Sequence, residues 1–272
     1  MSSLKHRDYS FLDRPEILSM VFHPRPDTEP LPAEGEDLYI PVETETTLMA
    51  RVHQGPDQGA AILFFHGNGE IVSDYDQLGP IYTQMGMTFI PVDYRGYGRS
   101  SGSPSIDGMM RDSHAVFDFV RSWLKDRGHT GPILVMGRSL GSAPALELAA
   151  TRQQEFQALI VESGFAYTMP LLRLLGLDVQ ALGLDEGKGM DNLDKMALIH
   201  IPCLIMHAEF DHIIPISDAK VLYETCPSAE KTFVQIPKAN HNDIFIRDLK
   251  AYMQAVRNQV DLIMQGAKGQ ED

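Results

Sequence analysis

Pro132-Ile133-Leu134-Val135-Met136-Gly137-Arg138-Ser139-Leu140-Gly141-Ser142-Ala143-Pro144-Ala145-Leu146-Glu147-Leu148-Ala149-Ala150 is the stretch whose reading decides the fold. It opens on an apolar run of strand length and closes on a helix-favouring run. Between them stands Gly137-x-Ser139-x-Gly141, the pattern of a nucleophilic serine on an abrupt strand-to-helix turn. Glycines at 137 and 141 let neighbouring backbone approach where a Cβ would clash. The turn holds the Ser139 hydroxyl outward, and the helix start behind it offers unpaired N–H groups. An ordinary serine in a glycine-rich turn is the plain alternative, so the reading depends on partners elsewhere in the chain.

Short apolar runs alternate with helical patterns along the rest of the sequence. Leu38–Val42 and Thr47–His53 alternate like a hairpin, with Leu48, Ala50 and Val52 on one face. Ala60–Phe65, Thr88–Val92, Pro132–Met136, Ala158–Val161, Pro202–Met206 and Lys231–Ile236 are the other strand candidates, and most are apolar throughout, as strands covered on both faces should be. Asp107–Lys125 carries Met110, Phe117, Val120 and Leu124 at helical spacing. Asp243–Met264 carries Ile246, Leu249, Met253, Val256, Val260 and Ile263, and predicts one long core-facing helix. An antiparallel start followed by β-α alternation predicts an α/β protein with one mostly parallel sheet and helices on both faces. Ahead of the first strand, Pro24-Arg25-Pro26 and Pro30-Leu31-Pro32 break any helix, and Phe11, Ile17, Leu18, Val21 and Phe22 predict a strap packed on the body.

A chain of 272 residues accommodates one large α/β domain or two small ones. A net charge of −14 with no offsetting basic cluster argues against a nucleic-acid partner. Two cysteines, Cys203 and Cys226, make no disulfide framework and suit a reducing compartment. The first eight residues lack the apolar core of a leader, and no apolar stretch approaches the ~20 residues of a membrane span. The expectation is a cytoplasmic protein without a membrane span.

A nucleophilic serine needs a base, an orienting carboxylate and two donors for the oxyanion, all from loops at the carboxyl ends of strands. The loop His66-Gly67-Asn68-Gly69 brings backbone close to the serine, and the N–H groups of Asn68 and Leu140 are the expected oxyanion hole. His66 reads as a structural residue of that loop. Asp211, in His207-Ala208-Glu209-Phe210-Asp211-His212, is the expected orienting carboxylate; Glu209 and Glu162 are rivals, and His212 reads as peripheral. His241, after the last strand, is the expected base, able to reach Ser139 with Nε2 while Nδ1–H meets Asp211. No spacing such as H-E-x-x-H points to a metal, and no cofactor is implied.

These motifs, with Asp93-Tyr94-Arg95-Gly96-Tyr97-Gly98-Arg99-Ser100-Ser101-Gly102, carry a resemblance. The chain resembles the α/β-hydrolase superfamily over nearly its full length, and within it the small serine hydrolases of the branch that includes the protein depalmitoylases. The order Ser139…Asp211…His241, each after its own strand, is the order of that superfamily's triad. The resemblance implies eight strands, one domain over residues 1–272 with an N-terminal strap (1–35) and a short helical cap (164–200), and hydrolysis of carboxylic esters or thioesters through an acyl-enzyme. Tyr94, Phe165, Met169 and Ile213 are the expected substrate-pocket residues. The partner implied is a small acyl ester or thioester. An aminopeptidase-type serine peptidase, with Glu162 or Glu209 anchoring a substrate amine, and a non-catalytic binding protein on the same fold are the alternatives.

Overall fold

The apolar runs become the inner strands of an eight-stranded sheet. The computed structural model describes residues 7–30, 32, 35–185 and 189–268. Residues 1–6, 31, 33 and 34 of the expected strap, 186–188 of the expected cap, and the last four residues lie outside the described residues. The strands are β1 (Glu36–Glu43), β2 (Thr46–Val52), β3 (Ala60–Phe65), β4 (Met87–Val92), β5 (Ile133–Arg138), β6 (Ala158–Glu162), β7 (Cys203–Ala208) and β8 (Lys231–Ile236), in the order β1-β2-β4-β3-β5-β6-β7-β8. β1 and β2 form an antiparallel hairpin, β2 meets β4 antiparallel, and every other neighbouring pair is parallel. Every residue of β3, β4, β6 and β7 is buried, because helices cover both faces there. The edge strands β1 and β8 instead mix buried and exposed positions.

The helices are α1 (Pro15–Val21), α2 (Gly79–Gln84), α3 (Ile106–Asp126), α4 (Ser142–Arg152), α5 (Thr168–Leu174), α6 (Asn192–Met196), α7 (Ile216–Thr225), α8 (Ile244–Arg247) and α9 (Leu249–Lys268). α3, α4 and α7 bury their apolar faces in one core cluster, while α2 and α9 build the second on the opposite face. α3 starts where Ser105 Oγ accepts the Gly108 N–H, an N-cap in extended conformation.

The helix expected over 243–264 is in fact two. The chain breaks at Asp248, which leaves helical geometry (φ −151°, ψ 71°). Asp248 Oδ1 then accepts the Ala251 N–H at 2.9 Å, the bond of an N-cap to its third helical residue. An apolar period runs through this carboxylate unchanged, so periodicity alone hides the restart. The break turns Ile246 away from the core to 85% exposure, whereas Met253, Val256, Val260 and Ile263 stay buried.

The N-terminal segment packs as expected at Ile17, Val21 and Phe22, with Leu18 half-buried and Leu12 buried beside them, but Phe11 is exposed. The 164–200 segment contributes α5 and α6. Both segments meet at Glu147 on α4. Its Oε2 accepts from Tyr9 Oη at 2.7 Å and from Lys195 Nζ at 2.8 Å, all three side chains being buried. Burial pushes the Glu147 carboxyl up, but the neighbouring His114 imidazole, 3.9 Å away, and the bonds from Lys195 and Tyr9 outweigh it and hold the group at about 2, below its ordinary 4.5. A depressed carboxylate stabilises the fold above its unfolded pKa and loses that contribution as pH falls through the folded value. Stability is therefore expected to fall between pH 4.5 and about 2, with about 3 kcal/mol of it from this group. Urea titrations across that range check this: the double variant Glu147→Gln, Lys195→Met, which keeps no buried charge at the site, should show a shallower acid limb.

Candidate active site

β5 ends at Arg138, and the chain turns through a short 3-10 segment, Ser139–Gly141, into α4. Ser139 sits at φ 51°, in the left-handed region that a residue with a Cβ adopts at a cost of about 1–3 kcal/mol. The glycines explain how the turn closes: a Cβ at 137 would run into the Gly141 carbonyl, and one at 141 into the Phe65 carbonyl of the neighbouring β3. Ser142 Oγ donates to the Ser139 carbonyl at 2.6 Å and fixes the start of the helix.

Three loops converge on the hydroxyl. His241 Nε2 lies 2.9 Å from Ser139 Oγ, and His241 Nδ1 lies 2.7 Å from Asp211 Oδ2. A carboxylate only accepts, so Nδ1 carries the hydrogen and Nε2 is free to accept from the serine. The other Asp211 oxygen accepts the N–H groups of Ile213 and Ile214 at 3.0 and 2.8 Å. Burial raises the Asp211 pKa, but the bond and charge of His241 and the Ile214 N–H outweigh it, so the carboxyl lies below its ordinary value. His207 donates Nε2–H to the Ile214 carbonyl at 2.9 Å, and burial lowers its pKa, so this neighbour stays neutral.

The rivals lie elsewhere. Glu162 is buried between Arg138 and Tyr252. Glu209 accepts the Lys238 N–H at 2.7 Å, and His212 is exposed. His66 is buried and donates Nδ1–H to the Gly67 carbonyl at 2.8 Å, which ties it into its own loop.

A cavity of about 230 Å³ opens over Ser139 and His241. Asn68 and Leu140 line it, with Val21, Leu171, Leu175, Ile213 and Ile214 supplying apolar wall from α1, α5 and the Asp211 loop. Of the expected pocket residues, Ile213 lines it and three do not. Tyr94 is buried, donating Oη–H to the His66 carbonyl at 2.7 Å, so it braces the loop below. Met169 is buried in the core on the inner side of α5. Phe165 lines a neighbouring cavity of about 150 Å³ that shares Leu171, Ile213 and Ile214 with the first.

Sequence reasoning missed the group that organises the site. Arg138 is 3% exposed and donates from three nitrogens: to Glu70 Oε1 and Glu162 Oε1, each at 2.8 Å, and to the His241 carbonyl at 2.9 Å. Glu70 Oε2 accepts the Gly67 N–H at 2.7 Å and the Tyr75 hydroxyl. Glu162 Oε2 accepts the Tyr252 hydroxyl at 2.8 Å. One guanidinium thus links the serine's strand, the Asn68 loop and the His241 loop. Burial pushes Arg138 down, but the charges of Glu70 and Glu162 outweigh it and hold it well above its ordinary value. Burial likewise raises Glu70, and Arg138, Tyr75 and Gly67 bring it below its ordinary value. The available signal was a charged residue closing an apolar strand, since such a group stays buried only with partners.

Among the described residues no cluster of three or more His, Cys, Asp or Glu side chains is arranged to hold a metal ion, and no helix is long and apolar enough to cross a membrane.

Known proteins share this chain's pattern. A family model described as serine aminopeptidase, S33 matches residues 56–180. The chain is 28% identical to the protein bem46 of Schizosaccharomyces pombe over 225 residues, covering 81% of this chain and 70% of that one. It is 32% identical over 244 residues to the lysophosphatidylserine lipase ABHD12 of Xenopus tropicalis, covering 83% of this chain and 60% of that one. The chain thus spans well under the full length of these curated relatives. The crystal structure of a Paleococcus ferrophilus monoacylglycerol lipase superposes with a TM-score of 0.61 at 18% identity, covering 78% of this chain and 98% of that one. With the sheet order, the strained serine turn and these likenesses together, the chain has the α/β-hydrolase fold and is similar to proteins of that superfamily.

Proposed function

We propose that this protein is a serine hydrolase that cleaves carboxylic esters through an acyl-enzyme. The carrying observation is the unbroken hydrogen-bonded chain from Ser139 Oγ through His241 to Asp211, mounted on a strained turn beneath a cavity. Ser139 Oγ attacks the ester carbonyl while its proton passes to His241 Nε2. Asp211 orients the imidazole and stabilises the imidazolium. The N–H groups of Asn68 and Leu140 receive the oxyanion, a role supported by both residues lining the cavity. His241 then protonates the departing alkoxide, the C–O bond breaks, and water repeats the sequence on the acyl-serine to release acid and free serine.

The apolar lining favours esters with hydrocarbon groups, and the lipase names of the relatives point the same way. Thioesters enter the same chemistry with a thiolate leaving group. The peptidase alternative draws less support, because neither Glu162 nor Glu209 lines the cavity. Labelling by a fluorophosphonate probe, with the adduct mapped by mass spectrometry, should place it on Ser139. A folded protein that neither labels there nor turns over p-nitrophenyl acetate would sink the reading.

Asp211→Asn tests the orienting role. An amide must present its NH₂ to His241 Nδ1 or to the Ile213 and Ile214 N–H groups, and either arrangement clashes with a donor already there. The wrong imidazole tautomer then faces Ser139, and kcat should fall by about 10³–10⁴-fold with KM little changed. Steady-state kinetics on p-nitrophenyl acetate read this directly.

A further inference from the structure

A second, larger space adjoins the first. It is a groove of about 660 Å³ between α2 and the α8–α9 break, walled by Leu78, Ile81, Phe245, Ile246 and Leu249. Glu70 and Asn242 line both this groove and the cavity over Ser139, so the two spaces meet at those residues. We propose that the groove holds a long apolar chain of the ester substrate, extending away from the scissile bond; this rests on the ester-hydrolase reading above.

Size is the first argument. The cavity over Ser139, at about 230 Å³, is smaller than the roughly 300–1,000 Å³ of sites that enclose a drug-sized ligand, and the groove falls inside that range. An ester with a short group fits over the serine alone, whereas a long chain needs further room. Polarity is the second. The buried carboxylate at the groove is already satisfied: Glu70 is bonded at both oxygens, by Arg138, Gly67 and Tyr75, whereas Asp74, whose Oδ2 accepts from the Ile71 N–H and Arg25, stands at the exposed edge and stays in water. A carboxylate whose oxygens are bonded does not have to be stripped of water when a hydrocarbon passes it. Exposure is the third. The Asp248 break leaves Ile246 at 85% exposure on the groove's wall, beside Phe245 and Leu249. An occupying chain would take this apolar surface out of water.

Two substitutions test the groove without touching the reacting residues. Ile246→Glu places a charge on its wall at an exposed position, and Gln77→Trp fills it from the exposed end of the neighbouring turn. Turnover is compared on methyl acetate, methyl decanoate and decyl acetate. Both variants should keep their kcat/KM on methyl acetate and lose at least about tenfold on one of the two long-chain esters, through KM. The sensitive ester tells whether the groove takes the acyl or the alcohol side, and either result supports the proposal. An unchanged chain-length profile in both variants overturns it. Calorimetric titration of decanol provides a reading independent of turnover. Binding that Ile246→Glu weakens about tenfold or more supports the groove even if no ester reacts, and binding indifferent to both substitutions overturns it. Failure of the hydrolase reading shows separately, as a wild-type protein that neither labels at Ser139 nor cleaves methyl acetate.

Discussion

Ser139→Ala should lose ester turnover by about 10⁴–10⁶-fold while remaining folded. The hydroxyl is the only group at position 139 that can attack a carbonyl, and His241 Nε2 has no other bonded side-chain partner among the described residues. The alanine keeps the Cβ and so keeps the left-handed strain at φ 51°. Its stability should lie close to wild type, apart from the lost hydrogen bond. Ser139→Gly sharpens the expectation. Glycine adopts that φ without penalty, so the glycine variant should be as inactive as the alanine variant yet more stable by about 1 kcal/mol. Rates on p-nitrophenyl acetate and midpoints in urea separate the two quantities. An inactive variant that gains stability would show a turn strained in favour of its serine. An alanine variant with wild-type turnover would remove Ser139 from the chemistry.

Arg138→Met should be the most destabilising single change at the site. It leaves Glu162 fully buried with only the Tyr252 hydroxyl, strips a donor from Glu70, and frees the His241 carbonyl. Removing one partner of a buried ion pair costs about 3–5 kcal/mol, because the remaining charge stays uncompensated. Burial already raises the Glu162 pKa, so the orphaned carboxyl is expected to take up a proton. Neutralising it in the double variant Arg138→Met, Glu162→Gln should restore a measurable part of the loss, a coupling that a double-mutant cycle in urea reads out. Activity should fall in both variants, through kcat more than KM, since the loops carrying Asn68 and His241 lose their common tie to the serine's strand. Equal stability of wild type and Arg138→Met would show that the network is ornamental.

Much of this was legible in the sequence because burial on both faces writes itself as uninterrupted apolar runs. Ala60–Phe65 and Lys231–Ile236 match their strands to the residue, and the other strands differ only at their ends. Loops at strand ends follow from strand positions, which is why Ser139, Asp211 and His241 could be named before their distances were known. Side-chain direction was not legible. Tyr94 and Met169 stand near the site in the chain, but which way each points depends on the packing of neighbouring elements, and both turn inward. Asp248 was invisible for another reason. One capping carboxylate restarts a helix without disturbing the apolar period around it. Arg138 required knowing that β5 and β6 pair Arg138 directly against Glu162, a register no local pattern contains.

The Arg138 tie also bears on how the site opens. Its acceptors come from residues 70, 162 and 241, far apart in sequence and joined through a single side chain. Segments that share such a tie open together rather than one at a time. Amide hydrogens of the Gly67–Glu70 and His241–Asn242 loops should therefore exchange with solvent at similar free energies, as one cooperative unit, although surface loops of this length ordinarily fray independently. Ser139, His241 and the loop expected to receive the oxyanion would then be lost and regained in one step, leaving few molecules with a half-assembled site.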